Sequence, residues 1–193
     1  MSLLDGYTPQ QTKILAEVLK KDFRQFIKFA FKIRSGGNFL FQPHHDVIIN
    51  TLQKVIDGDI TRLIMVIPPR HSKSELVSVM TPAYAFVNNK RSEVIQTTYS
   101  DSLCRDMSTG VRDILFSEEF EQLFGLRLRP DKSAINGWQI VNGGKGHFIP
   151  TGGSLTGKGA GTLDDGFTGL MVIDDPLKGL SGINVLNSGK AKS

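Results

Sequence analysis

The sequence predicts an α/β fold, a mainly parallel sheet flanked by helices. Three observations carry it: short apolar runs at 62–67, 93–98 and 168–173, amphipathic stretches after the first two, and a proline-rich basic loop at the first strand-to-helix junction. With 193 residues the chain has the length of one domain and can bury a core without disulfides. Its 39% hydrophobic and 22% charged content is that of a globular protein and excludes general disorder.

Thr8-Pro9 is a helix start, and Ile14, Leu15, Val18 and Leu19, then Phe23, Phe26, Ile27, Ala30 and Phe31, recur at helical spacing, giving one or two helices. Ser35-Gly36-Gly37-Asn38 interrupts the pattern, and Pro43 opens a helix carrying Ile48, Ile49, Leu52, Val55 and Ile56 up to Gly58. Arg62 to Ile67 reads as a buried strand ended by two prolines. From Lys73 a helix follows, with Leu76, Val77, Val79, Met80 and Ala83 near one stripe, and Pro82 is expected to end or kink it.

Glu93 to Thr98 is the next strand, and Ser100 caps a helix with Leu103, Met107, Val111, Ile114 and Leu115 inward. Ser117, Phe120, Leu123 and Phe124 suggest a short helix stopped by Gly125. Short strands are expected around 138–141 and 147–149, a flexible glycine-rich tract at 151–161, and a buried strand at 168–173 ending in Asp174-Asp175-Pro176. The reading divides the chain into a helical segment (1–40), an α/β domain (41–178) and a divergent, disordered tail (179–193) with only Ile183, Val185 and Leu186 to bury.

A net charge of +4 and a pI near 9.2 permit a polyanionic partner but constrain it loosely. Cys104, the single cysteine, fits a reducing compartment and a packing role. No leader pattern or membrane-length apolar run is present, so a soluble cytoplasmic protein is expected.

The chemistry centres on Ile67-Pro68-Pro69-Arg70-His71-Ser72-Lys73-Ser74. A phosphate-binding loop G-x-x-x-x-G-K-[ST] needs backbone amides around phosphate, a lysine for the β and γ phosphates and a hydroxyl for magnesium. Lys73 and Ser74 fit the last two roles, while Ile67 and Ser72 replace the glycines. A serine at the second glycine brings a Cβ that resists positive φ, at a cost of roughly 1 kcal/mol or more if that conformation is required. Such a site also needs an acidic residue at the end of a neighbouring apolar strand. Asp174 would serve the metal there, and Asp175 would orient the attacking water. Against this stands a strand, a proline turn and two exposed aspartates with no shared purpose. Arg70 is placed to stabilise γ-phosphate charge, or else to contact a neighbouring subunit or DNA. His44 and His45 have no third ligand at metal spacing, which favours a helix-start role.

These residues, with Phe41-Gln42-Pro43-His44-His45, Thr97-Thr98-Tyr99-Ser100, the run from Gly152 to Ala160 and Val172-Ile173-Asp174-Asp175-Pro176-Leu177-Lys178, resemble the large terminase subunit of tailed bacteriophages. The N-terminal half of that subunit is the ATPase that drives DNA into the capsid. The resemblance implies a P-loop NTPase of the additional-strand type, incomplete after the acidic (Walker B) strand, with ATP and Mg2+ as cofactors. It implies nucleotide contacts from Gln42 (to adenine), Pro69, Arg70, His71, Ser72, Lys73 and Ser74, metal ligation by Ser74 and Asp174, and catalysis by Asp175 and Arg70. Double-stranded DNA, a small terminase subunit and a portal protein are the implied partners, in a homo-oligomeric ring in the bacterial cytoplasm. The family's third ATPase element and its nuclease have no counterpart after Lys178, so a truncated, split or frameshifted reading frame is expected. The alternatives are a residual fragment that binds nucleotide or assembly partners without hydrolysis, and a helicase-like translocase.

Overall fold

The computed structural model describes residues 2–154, 157–162 and 166–177. The tail 179–193, Lys178, and Leu155 and Thr156 of the glycine-rich tract lie outside them.

The N-terminal apolar pattern forms two helices, α1 (Pro9–Lys21) and α2 (Phe23–Ser35). Thr8 and Gln11 close a reciprocal capping box on α1, Asp22 caps α2, and Gly36 at φ 71° ends it. Then follow α3 (Pro43–Ile56), a π-helical turn (Glu75–Met80) running into α4 (Thr81–Asn88), α5 (Asp101–Leu115) and α6 (Glu118–Phe124).

Five strands, β1 (Glu93–Thr98), β2 (Leu128–Ala134), β3 (Gly137–Ile140), β4 (Lys145–Pro150) and β5 (Gly169–Ile173), make one sheet in the order β2-β3-β4-β1-β5. β1 pairs in parallel with β4 and β5, whereas β2–β3 and β3–β4 are antiparallel. The sheet is therefore mixed, correcting the mainly parallel expectation. The meander β2-β3-β4 is joined by turns too short for a crossover.

α5 packs across β1 and β4, and α4 lies against β5. Behind them, Phe23 and Phe26 of α2 meet Tyr84 of α4, with ring centroids 4.7 and 5.0 Å apart, and Phe26 meets Phe120 of α6 edge-on. The Tyr84 hydroxyl donates to the Lys20 carbonyl, satisfying its polar end inside this aromatic core. Trp138, 2% exposed, lies opposite Gly146, where a Cβ would come within 2.6 Å of the indole.

Three local expectations change. Arg62 to Ile67 is neither a strand nor buried: it is irregular backbone with no backbone hydrogen bond among the described residues, and Ile64 and Val66 are each 93% exposed. A cavity of about 810 Å³, bordered by Leu63 and Met65 on one side and by β5 on the other, occupies the place of a pairing partner. Burial of β5 is likewise one-sided, with Val172 inside and Met171 and Ile173 about half exposed, because β5 is the last strand of the sheet. Finally, Pro82 does not end its helix. A proline lacks the N–H of the i to i−4 bond and its ring crowds that carbonyl. Here the wider π-helical register immediately precedes it, the Thr81 N–H reaching back to the Leu76 carbonyl. The helix thus passes Pro82 unbroken.

Candidate functional site

The 67–74 loop lies at the carboxyl end of β5. In it φ alternates in sign, with Arg70 at 64° and Ser72 at 59° on either side of His71. The left-handed region anticipated for Ser72 is thus occupied, and by Arg70 as well. The N–H groups of Arg70, His71 and Ser72 donate to no backbone carbonyl among the described residues. Alternating handedness turns successive amides toward one side, forming a concavity that suits an anion at the start of a helix.

Lys73 joins this loop to the acidic strand end. Its Nζ lies 2.9 Å from Asp174 Oδ1 and 2.9 Å from Asp175 Oδ1. Asp174 is 4% exposed, and its second oxygen, Oδ2, accepts from the Ser78 hydroxyl at 2.8 Å. Burial pushes the Asp174 carboxyl up, but hydrogen bonds from Lys73, Ser78 and Ser74 and the lysine charge outweigh this and hold it below the ordinary aspartate range. For Lys73, burial favours the neutral amine, and the two aspartates more than compensate, holding the ammonium above the ordinary lysine value. Both groups are charged at neutral pH.

β5 and β1 fix the acidic pair. The Asp174 N–H donates to the Thr97 carbonyl, and the Asp175 carbonyl accepts from the Tyr99 N–H, so the ladder continues one step past β5. Asp175 has φ 45°, which turns its carboxylate out of the strand direction; its side chain is 65% exposed. Strained conformations concentrate where the surroundings over-determine them, and three lie here within one small region.

The remaining expected site residues are placed as follows. Ser74 is exposed at the helix start beside Asp174. Arg70 is exposed and makes no hydrogen bond or ion pair among the described residues. The Pro69 carbonyl accepts from His71 Nδ1 at 2.8 Å. Gln42 is exposed at the start of α3, where its backbone N–H donates to His45 Nδ1 at 2.9 Å, the helix-start role read for this histidine. Cys104 is buried, and burial pushes its thiol up, as suits a packing residue.

Two features were not foreseen. Ser78 is one; the other is a histidine cluster in which His44 lies 4.0 Å from His45 and 5.2 Å, edge-on, from His71 of the loop. His45 is 3% exposed and its Nε2 has no hydrogen-bond partner among the described residues. Desolvation, then His44, Arg24 and His71, hold its pKa below the ordinary histidine value. A spacing of four from Ser74 on one helix could have pointed to Ser78. Nothing in the sequence brings His71 to His44.

Comparison with family models, curated proteins and solved structures found no match to this chain. Among the described residues no helix is long and apolar enough to cross a membrane.

Proposed function

We propose that the chain binds a nucleoside triphosphate, ATP, with magnesium in the 67–74 loop, as the ATPase part of a DNA-packaging motor of the large terminase type with a P-loop fold. The observation that carries this reading is the Lys73 ammonium held 2.9 Å from both Asp174 and Asp175, residues a hundred positions away. A cation poised between two carboxylates beside free loop amides is what a phosphate-and-metal site contains before its ligand arrives.

The donor set suits magnesium. The Ser74 hydroxyl and the Asp174 carboxylate are oxygen ligands, and magnesium commonly takes one or two carboxylates plus substrate phosphate, so no preformed carboxylate cluster is required. Bound there, it neutralises charge on the phosphate oxygens. The protein's part is positional. Lys73 exchanges its carboxylate partners for the β and γ phosphates, and the amides of Arg70 to Ser72 surround the phosphate chain. Arg70, unengaged and exposed, stabilises charge on the transferred group. Asp175, exposed beside it, orients water for attack. Gln42 keeps its side-chain amide for the adenine edge. Double-stranded DNA, a small terminase subunit, a portal protein and a ring of like subunits in the bacterial cytoplasm complete the proposal.

The test is calorimetric binding of Mg-ATP alongside phosphate release, for the wild type, Lys73→Ala and Asp175→Asn. Lys73→Ala is expected to weaken binding at least about tenfold, the usual scale for losing a charge-assisted hydrogen bond. Asp175→Asn is expected to bind and not turn over. A wild-type chain that ignores Mg-ATP, or a Lys73→Ala variant binding equally well, would sink the proposal. One observation favours a second reading, binding without turnover: the segment feeding the loop, 62–67, has no strand partner among the described residues to anchor it. Magnesium-dependent binding with no phosphate release would select that reading.

A further inference from the structure

We infer that Ser78 is a positioning residue for the metal site, acting through Asp174; the inference rests on the magnesium-nucleotide reading above. Three donors from one stretch of chain, Lys73, Ser74 and Ser78, converge on the Asp174 carboxylate. Two of them have other work once ligand is bound, because Lys73 turns to phosphate and Ser74 to the metal. Ser78 has none. It is 0% exposed, so nothing from solvent can replace its hydroxyl, and its 2.8 Å bond engages Oδ2 alone.

The consequence is an asymmetric carboxylate. Oδ2 is tied to Ser78, so Oδ1, which Lys73 holds, is the oxygen that would be offered to a metal. Without the Ser78 hydroxyl, a carboxylate that is 4% exposed loses a donor it cannot recover from water, and its orientation is no longer fixed when Lys73 leaves. Groups that orient a metal ligand typically matter for metal affinity by 10- to 100-fold. Local geometry supports the assignment: Ser78 lies inside the π-helical turn Glu75–Met80, and single π-helical turns within helices frequently mark functional positions.

The experiment uses the full chain with Ser78→Ala and Ser78→Thr. Manganese affinity is measured by electron paramagnetic resonance in the presence of ATP, ATP affinity is measured in EDTA, and the melting temperature is followed for each protein. Ser78→Ala is expected to weaken manganese binding by about tenfold while metal-free ATP affinity changes less than twofold, and Ser78→Thr, which keeps the hydroxyl, to restore the metal affinity. Equal losses of metal and metal-free nucleotide binding in both variants would mean a structural role and overturn the inference. So would an unchanged manganese affinity in a folded Ser78→Ala protein. If instead the wild type binds no ATP under either condition, the site reading itself fails and this inference fails with it.

Discussion

Replacing Ser72 by glycine should stabilise the protein without tightening nucleotide binding. Ser72 sits at φ 59°, where an L-residue is disfavoured by about 1–2 kcal/mol because its Cβ crowds the following carbonyl. Glycine removes that crowding but adds about 0.5–1 kcal/mol of backbone entropy to be lost on folding. The difference is a net gain of up to about 1.5 kcal/mol, which for a chain of this size raises the melting temperature by up to about 6 °C. Ser72 holds the left-handed conformation as part of the folded loop, so its cost falls on folding and cancels from the binding equilibrium. The assay is thermal unfolding of Ser72→Gly and Ser72→Ala beside Mg-ATP titration of each. Alanine keeps the Cβ and should show no gain, while the ATP dissociation constant of the glycine variant should stay within about twofold of wild type. An alanine variant as stable as the glycine one would refute the Cβ argument. A glycine variant of unchanged stability that binds ATP several-fold tighter would show that the loop adopts this conformation only on binding.

Three further outcomes follow from the same geometry. Lys73→Ala leaves the buried Asp174 carboxylate with its serine donors alone and should cost about 1–3 kcal/mol in urea unfolding, a range set by hydrogen bonds to charged groups. Acid should destabilise the fold in two stages. His45 has a lowered folded pKa, so its contribution is complete above the ordinary histidine value of about 6.5 and is lost as pH falls through the folded value. Asp174, also lowered, adds its loss only below about pH 4. A His45→Gln variant should reduce the first stage, leaving the share of His147, whose pKa burial also lowers, and should leave the second, as followed by melting temperature between pH 8 and 3. Gly146→Ala drives a Cβ into the Trp138 ring and should destabilise by about 1–3 kcal/mol, with a change in the tryptophan fluorescence of the folded state.

Features written in local pattern were legible in the sequence. The capping residues Thr8 and Ser117 and the glycines 36 and 125 act within a few residues, and the helices they bound are found close to where periodicity put them. That the loop and the Asp174-Asp175 pair meet was anticipated for a different reason: the residue types a phosphate site would need stood after two apolar runs, only the second of which is a strand. What escaped depends on contacts between distant segments. The β5 run was read as buried on both faces because its composition is that of a central strand, yet composition does not say whether a neighbour exists on each edge. Ser78 escaped because a serine inside an apolar helix resembles a tolerated small residue until its partner, ninety-six positions away, is in place.

The same distinction bears on how far the site is built. On the β1 side, Asp174 and Asp175 are fixed by backbone hydrogen bonds to Thr97 and Tyr99, so the acidic half rests on a sheet interior. On the other side, Arg62 to Ile67 has no ladder partner among the described residues, and the cavity between it and β5 separates the two stretches of chain that carry the proposed site. What ties the halves together is Lys73, with Ser74 and Ser78 behind it, all on the helix that starts at the loop. Cohesion between the two halves therefore depends on Lys73, the residue that the proposed function assigns to phosphate. Hydrogen exchange at β5 and the loop should accordingly rise in Lys73→Ala, whereas Asp175→Asn, which keeps the Asp174 contact, should leave it near wild type. Equal exchange in all three proteins would mean that the loop is held by its helix alone.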